Sequence, residues 1–168
     1  WQHPAKIRSS ARRRERCRVS TIEEKKLRKI KDLLDEKGRE IWSISPDSTV
    51  YDAMKLMADK EIGSLAVLED GRLVGLISER DYARNVILKG RSSKDTPVRE
   101  IMERRPVCAT PDESVEESMA VMTDRRTRHL PVIEGDKLVG IISIGDLVKA
   151  IISDQEFTIE QLVNYISG

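Results

Sequence analysis

The sequence predicts an α+β fold built from two copies of one strand–helix–strand–strand–helix unit. The copies pack sheet against sheet about a pseudo-twofold axis, with a further helix at each end. Three observations carry this. The stretch Gly75-Leu76-Ile77-Ser78-Glu79-Arg80-Asp81 returns as Gly140-Ile141-Ile142-Ser143-Ile144-Gly145-Asp146. What precedes it returns too, Leu65 to Val74 against Leu130 to Val139, and the offset of 65 residues holds without a gap back to Pro46-Asp47 and Pro111-Asp112. Finally, neither copy is large enough to bury its apolar faces alone, so the two must share one packed unit.

The chain of 168 residues is 39% hydrophobic and 35% charged, the balance of a water-soluble globular protein. No apolar run approaches the roughly 18 residues of a membrane span, so no membrane partner is expected. A net charge of +1 argues against polyanion binding by bulk field. Cys17 and Cys108 cannot form a disulfide framework, and with His3 and His129 they show no metal-ligand spacing; a reducing compartment is the simplest reading.

Residues 1–20 hold seven Lys and Arg against Glu15 and have no apolar middle, so they are read as a basic, disordered extension. An organelle transit segment or a nucleic-acid arm are the other readings, although no aromatics are interleaved for base stacking. Residues 21–40 form an N-terminal helix. Ser20 with Glu23, or Thr21 with Glu24, makes a capping box, and Ile22, Leu27, Ile30, Leu33 and Leu34 recur at helical spacing up to Gly38.

The first domain spans 41–95. A short strand over 41–45 ends at Pro46, and Asp47 or Ser48 caps a helix with Val50, Ala53, Met54 and Met57 on one face. The methionines read as core filler. A hairpin follows, Leu65 to Leu68 and Leu73 to Ile77 about Asp70-Gly71, leading into a helix from Asp81 to Leu88. The second domain, 96–155, opens with a short helix bearing Val98, Ile101 and Met102 after the polar linker Arg91 to Pro97, and repeats the pattern. Cys108 reads as a buried small residue. Over 156–168, Thr158 with Gln161 caps a final helix whose Ile159, Leu162, Val163 and Ile166 need cover from the chain's own body or from a second chain.

The helix-starting Ser-x-x-Asp after a Gly-apolar-apolar strand, duplicated, and the strand opening Arg128-His129-Leu130-Pro131-Val132 resemble the cystathionine-β-synthase (CBS) domain family. Two such domains in tandem form a Bateman module, here over about residues 33 to 155. The string Ser78 to Arg84 with Gly90 to Lys94 is similar to stand-alone two-domain proteins of bacteria and plant organelles. The resemblance implies binding of an adenosine ligand (AMP, ADP, ATP, S-adenosylmethionine or NAD) in the cleft between the domains, by a sensor rather than a catalyst. It also implies pairing into flat dimers through the helices after Asp81 and Asp146.

The residues admit two compatible readings of Ser78…Asp81 and Ser143…Asp146. One is a plain capping box; the other is a ligand site in which the Asp accepts ribose hydroxyls and the helix start faces phosphate. Arg80 can pair with phosphate, and its equivalent is Gly145. Arg128 and His129 stand where the first copy has Gly63 and Ser64, and could complete a phosphate pocket opposite Arg80. The adenine is placed near Ile44-Ser45-Pro46 with Leu65, Ala66 and Ile77, and near Ala109-Thr110-Pro111 with Leu130, Pro131 and Ile142. No Gly-rich phosphate loop, nucleophile–base pair or metal motif appears, so no enzymatic activity, metal or required cofactor is expected. The sequence thus points to a regulatory sensor of an adenine nucleotide, AMP foremost, or NAD(H). It would be a homodimer of the cytoplasm, or of an organelle if the basic segment is a transit peptide, acting on an unidentified regulated protein. The alternative is a nucleic-acid-associated protein using the basic arm.

Overall fold

The computed structural model describes residues 27–167. After α1 (Ile30–Lys37), the first repeat runs β1 (Ser43–Ile44), α2 (Val50–Lys60), β2 (Ser64–Glu69), β3 (Arg72–Ser78) and α3 (Glu79–Tyr82). The second runs α4 (Val115–Arg125), β4 (His129–Glu134), β5 (Lys137–Ser143) and α5 (Ile144–Ser167). β1 lies parallel to β2, which pairs antiparallel with β3. β4 and β5 form the matching hairpin, where a single parallel bridge from Ala109 to Val132 stands in for β1. Both hairpins shift register at the same place, between Val67 and Leu68 and between Val132 and Ile133. Asp70 and Gly71 both take positive φ, 49° and 75°, the backbone a two-residue hairpin turn requires.

The repeats exchange their leading segments. Ile30, Leu33 and Leu34 of α1 are buried in the core of the second repeat with Val115, Met122, Leu130 and Ile142. Reciprocally, Val98 and Ile101 are buried in the core of the first repeat with Val50, Met57, Leu65 and Ile77. The backbone repeats the exchange: Ile30 N–H donates to Glu113 O and Val115 N–H to Arg28 O, while Val98 N–H donates to Ser48 O and Val50 N–H to Thr96 O, all at 2.9 Å. Glycine makes the close approach possible on both sides. A Cβ on Gly140 would lie 2.6 Å from Leu34 Cδ2, and one on Gly75 would lie 2.7 Å from Met102 Sδ and 2.9 Å from Glu103 O.

Several local expectations are corrected. The N-terminal helix does not run through 27–29: Lys29 is extended and bridges Ser114, α1 begins at Ile30, and Leu27 is exposed. The proposed boxes at Ser20 and Thr21 lie outside the described residues. α2 is capped by Thr49, whose Oγ1 accepts from Asp52 N–H at 3.1 Å, not by Asp47 or Ser48; Asp47 instead accepts from Arg99 Nη2 at 2.5 Å. The turn at Val98–Glu100 serves the first core rather than opening the second half. The helix expected from Asp81 starts at Glu79 and becomes a π turn over Ala83–Ile87. No break separates a C-terminal helix, since α5 is continuous through Ser167 and Thr158 Oγ1 donates to Asp154 O at 2.8 Å instead of capping. Among the described residues no helix is long and apolar enough to cross a membrane.

Candidate functional site

Each repeat ends its hairpin at a Ser that starts a helix, and both Ser-x-x-Asp motifs are formed as capping boxes. Asp81 Oδ2 accepts from Ser78 N–H at 2.9 Å and from Ser78 Oγ–H at 2.7 Å, while Asp81 N–H donates to Ser78 Oγ at 3.4 Å. Ser143 N–H donates to Asp146 Oδ2 at 2.8 Å, and Asp146 N–H to Ser143 Oγ at 3.2 Å. The chain before each helix is held alike: Glu79 N–H donates to Gly63 O at 3.2 Å and Ile144 N–H to Arg128 O at 2.9 Å. The boxes therefore hold both carboxylates at the mouth of a cleft while leaving acceptor capacity unused.

The two clefts differ in size and charge. The larger, about 720 Å³, holds Ser78 and Asp81 and is lined by six arginines, Arg80, Arg84, Arg105, Arg125, Arg126 and Arg128, against the acids Glu79, Asp81 and Glu103. Arg80 Nη1 donates to Arg126 O at 2.7 Å, joining the two repeats across this cleft. That carbonyl is presented by Arg126 itself, which ends α4 in the left-handed conformation at φ 52°. The smaller cleft, about 300 Å³, holds Ser143 and Asp146 with Trp42, Ile62 and Ile141. Here a cation is already in place: Lys37 Nζ donates to Asp146 Oδ2 at 2.6 Å and to Ile141 O at 2.9 Å. Burial raises the Asp146 carboxyl, but the hydrogen bonds from Lys37 and Ser143 outweigh it and hold the group below the ordinary carboxylate range.

Gly63 and His129 belong to both clefts and form the wall between them. The imidazole lies directly against Gly63, where a Cβ would sit 3.4 Å from His129 Cε1 and Nε2, at ordinary van der Waals contact. Burial first of all lowers the His129 pKa, Lys37 and Arg128 push the same way, and Asp146 and Asp81 oppose them. The ring is thus held in favour of its neutral form.

Gly63, Ser78, Arg80, Asp81, Arg128 and His129 come together in the larger cleft. Ser64, Ser143 and Asp146 meet in the smaller one, again with Gly63 and His129. The residues assigned to adenine are elsewhere. Leu65, Ala66, Ile77, Ala109, Leu130, Pro131 and Ile142 are buried, and Ile44, Ser45 and Thr110 line neither cleft; nor does Gly145, the counterpart of Arg80. For Leu65, Ile77, Leu130 and Ile142 the reason is strand alternation: Leu76 and Ile141 line the clefts while their neighbours Ile77 and Ile142 point into the cores, and Ala66 and Pro131, the cross-strand partners of Leu76 and Ile141, share the outer face but are buried there. The apolar cleft walls are instead Pro106 and Val107 on one side and Trp42, the 65-residue equivalent of Val107, on the other.

The sequence reading missed Lys37, Arg84, Arg105, Arg125 and Arg126. Arg84 lies one turn beyond Arg80, and Arg125, Arg126 and Arg128 cluster within four positions, a density that could have pointed to the cleft. Cys108 is exposed rather than buried, with Sγ–H donating to Pro106 O at 3.4 Å. On the two helices through which the resemblance implies pairing, Val86 and Leu147 are buried in their own repeats, whereas Ile87 and Ile152 are exposed at equivalent positions.

The CBS domain family matches twice, at residues 30–87 and 98–153. The chain belongs to the CBS domain family. It is a tandem CBS pair, and the two matches begin at the two exchanged segments. The mitochondrial CBS domain-containing protein CBSX3 of Arabidopsis thaliana is 40% identical over 149 residues, 83% of this chain and 72% of that protein. The CBS domain-containing protein YhcV of Bacillus subtilis is 34% identical over 113 residues, 67% of this chain and 80% of that protein. Among solved structures, a CBS-domain protein of Burkholderia ambifaria is 48% identical with a TM-score of 0.73, covering 76% of this chain and 96% of that one. The CBS domain pair of protein MJ0100, solved in complex with 5′-methylthioadenosine and S-adenosyl-L-methionine, shares the fold at 22% identity and a TM-score of 0.68, covering 76% of this chain and 98% of that one.

Proposed function

We propose that this CBS pair is a regulatory sensor that binds an adenine nucleotide, AMP foremost, or the dinucleotide NAD(H), in its larger cleft. The observation that carries this reading is the position of Asp81 in a cavity lined by six arginines. A carboxylate with unused acceptor capacity suits the two hydroxyls of a ribose, and guanidinium groups suit phosphate through paired N–H donors. Pro106 and Val107 offer an apolar wall to the base. Support from the fold comes from MJ0100, a CBS pair seen with two adenosine compounds.

Signalling follows from the Arg80–Arg126 bridge. An anion drawing Arg80 toward the cleft competes with the Arg126 carbonyl, so occupancy biases how the two repeats sit together. The exposed pair Ile87 and Ile152, one on each repeat, is the proposed face for a homodimer and for the relay to a regulated protein. No catalytic step is assigned to the chain. The nucleic-acid alternative rests on residues 1–20, which lie outside the described residues.

A thermal-shift series with AMP, ADP, ATP, S-adenosylmethionine, NAD, NADH and NADPH tests the reading, because a ligand that binds only the folded state raises the midpoint by mass action. A saturable rise with a phosphate-bearing member is expected. A rise with S-adenosylmethionine alone would contradict the arginine assignment, and a flat response to all seven would contradict the sensor reading.

A further inference from the structure

His129 lines both clefts, and its ring is tied to neither. It opens β4 opposite Ser143, whereas Ser64, its counterpart in the first repeat, lines the smaller cleft alone. Its backbone is held, since Thr127 Oγ1 donates to His129 O at 3.1 Å, but neither ring nitrogen has a hydrogen-bond partner among the described residues. In the larger cleft it meets Glu79, Arg80 and Asp81 of α3, Arg84 of the π turn, Glu103 and Arg105 beyond the Val98–Glu100 turn, Arg125 and Arg126 at the end of α4, and its own neighbour Arg128. In the smaller cleft it meets Lys37 of α1, Glu40, Glu61 at the end of α2, and Asp146 of α5, the last already paired with Lys37. Six guanidinium groups against three carboxylates, together with burial, keep the imidazole neutral, so one nitrogen donates and the other accepts.

A phosphate entering the larger cleft reverses that balance. It cancels guanidinium charge beside the ring and offers oxygens to a second ring N–H, and both effects favour the imidazolium. We propose that His129 makes nucleotide binding proton-linked: phosphate arriving in the larger cleft draws a proton from solvent onto the free ring nitrogen, so the pair holds its ligand more tightly as the pH falls below neutral. Reciprocity sets the size of the effect. The factor by which bound nucleotide raises the ring's affinity for a proton is the factor by which protonation raises the affinity for nucleotide. The inference rests on the nucleotide reading of the larger cleft and adds to it a second input, acidity, received at a residue on the wall between the clefts.

The test is an NMR titration of the His129 ring in the full chain carrying His3→Gln, which leaves a single imidazole and does not alter the cleft. Saturating AMP or NAD is expected to raise the titration midpoint of the Cε1–H resonance by about one pH unit or more. Adenosine, which lacks the phosphate, is expected to leave it in place. Calorimetry gives a second reading: on going from pH 8 to pH 6 the wild type is expected to gain about three- to tenfold in affinity for AMP or NAD relative to His129→Gln. The comparison with the variant removes the titration of the AMP phosphate itself, whose second pKa is about 6. A midpoint that bound nucleotide leaves unmoved or lowers would overturn the proposal while the nucleotide reading stands. So would an equal rise with adenosine, and so would the same pH course of affinity in His129→Gln. Failure of both AMP and NAD to bind at any pH would overturn both readings together.

Discussion

Lys37 Nζ lies 2.6 Å from Asp146 Oδ2, whereas Asp81, its counterpart in the first repeat, makes no ion pair among the described residues. A pseudo-symmetric pair of sites is therefore asymmetric in the one group expected to hold a ribose. A diol entering the smaller cleft must displace an ammonium that sits on the same oxygen. Lys37→Met should raise adenosine affinity at Asp146 by up to about fivefold, the equivalent of ~1 kcal/mol for a partly exposed pair. Titration calorimetry on the variant reads this directly. No gain, with the fold intact, would show that the pair does not guard the site.

The same pair sets an acid response. Asp146 titrates below its ordinary range when folded, so its contribution to stability is full above the unfolded value of about 3.9 and is lost as the pH falls through the lower folded one. The wild type should lose more of its thermal midpoint than Lys37→Met on going from pH 5 to pH 3. Equal losses in the two proteins would place the effect elsewhere.

His129 acts in the opposite range. Its folded pKa is lowered, chiefly by burial, so between the unfolded value of about 6.5 and the lower folded value the unfolded chain binds more protons. Stability from this group is full above about pH 6.5 and falls as the pH drops below it. His129→Gln should flatten the midpoint between pH 7 and pH 5.5, measured in the absence of ligand. An unchanged slope would show that the ring is not held neutral.

The exchanged segments can be tested at their contact glycines. Gly75→Ala should cost about 1–3 kcal/mol by overpacking, because the new methyl meets the Glu103 backbone oxygen as well as Met102. Gly140→Ala should cost less, since it meets only the Leu34 side chain. Chemical denaturation of both variants ranks them, and the reverse order would contradict the reciprocal packing.

The repeat, both hairpins and the two capping boxes were legible because they are local: strand period, turn residues and Ser-x-x-Asp spacing lie within a few positions of one another. The exchange of α1 and the Val98–Glu100 turn was not, because an apolar stripe such as Ile30, Leu33 and Leu34 says that it will be buried without saying against which core. The site divided in the same way. Asp81 and Arg128 carried a pattern, but Lys37 reaches Asp146 from 109 positions away. The adenine assignment took Ile77 and Ile142, whereas their neighbours Leu76 and Ile141 are the ones that line the clefts, a difference of one residue of strand alternation. The chain also gave no sign that the helix expected to begin at Thr158 would continue unbroken from Ile144, since Thr158 satisfies its hydroxyl on the preceding turn.

The most direct measurement is calorimetric titration of the full chain with the nucleotide that raises its midpoint most, repeated on Asp81→Ala and Arg128→Ala. Binding in the wild type, with affinity reduced at least tenfold in each variant and the fold retained by circular dichroism, is the expected result. Wild-type affinity in both variants would mean that the nucleotide does not occupy the arginine-lined cleft.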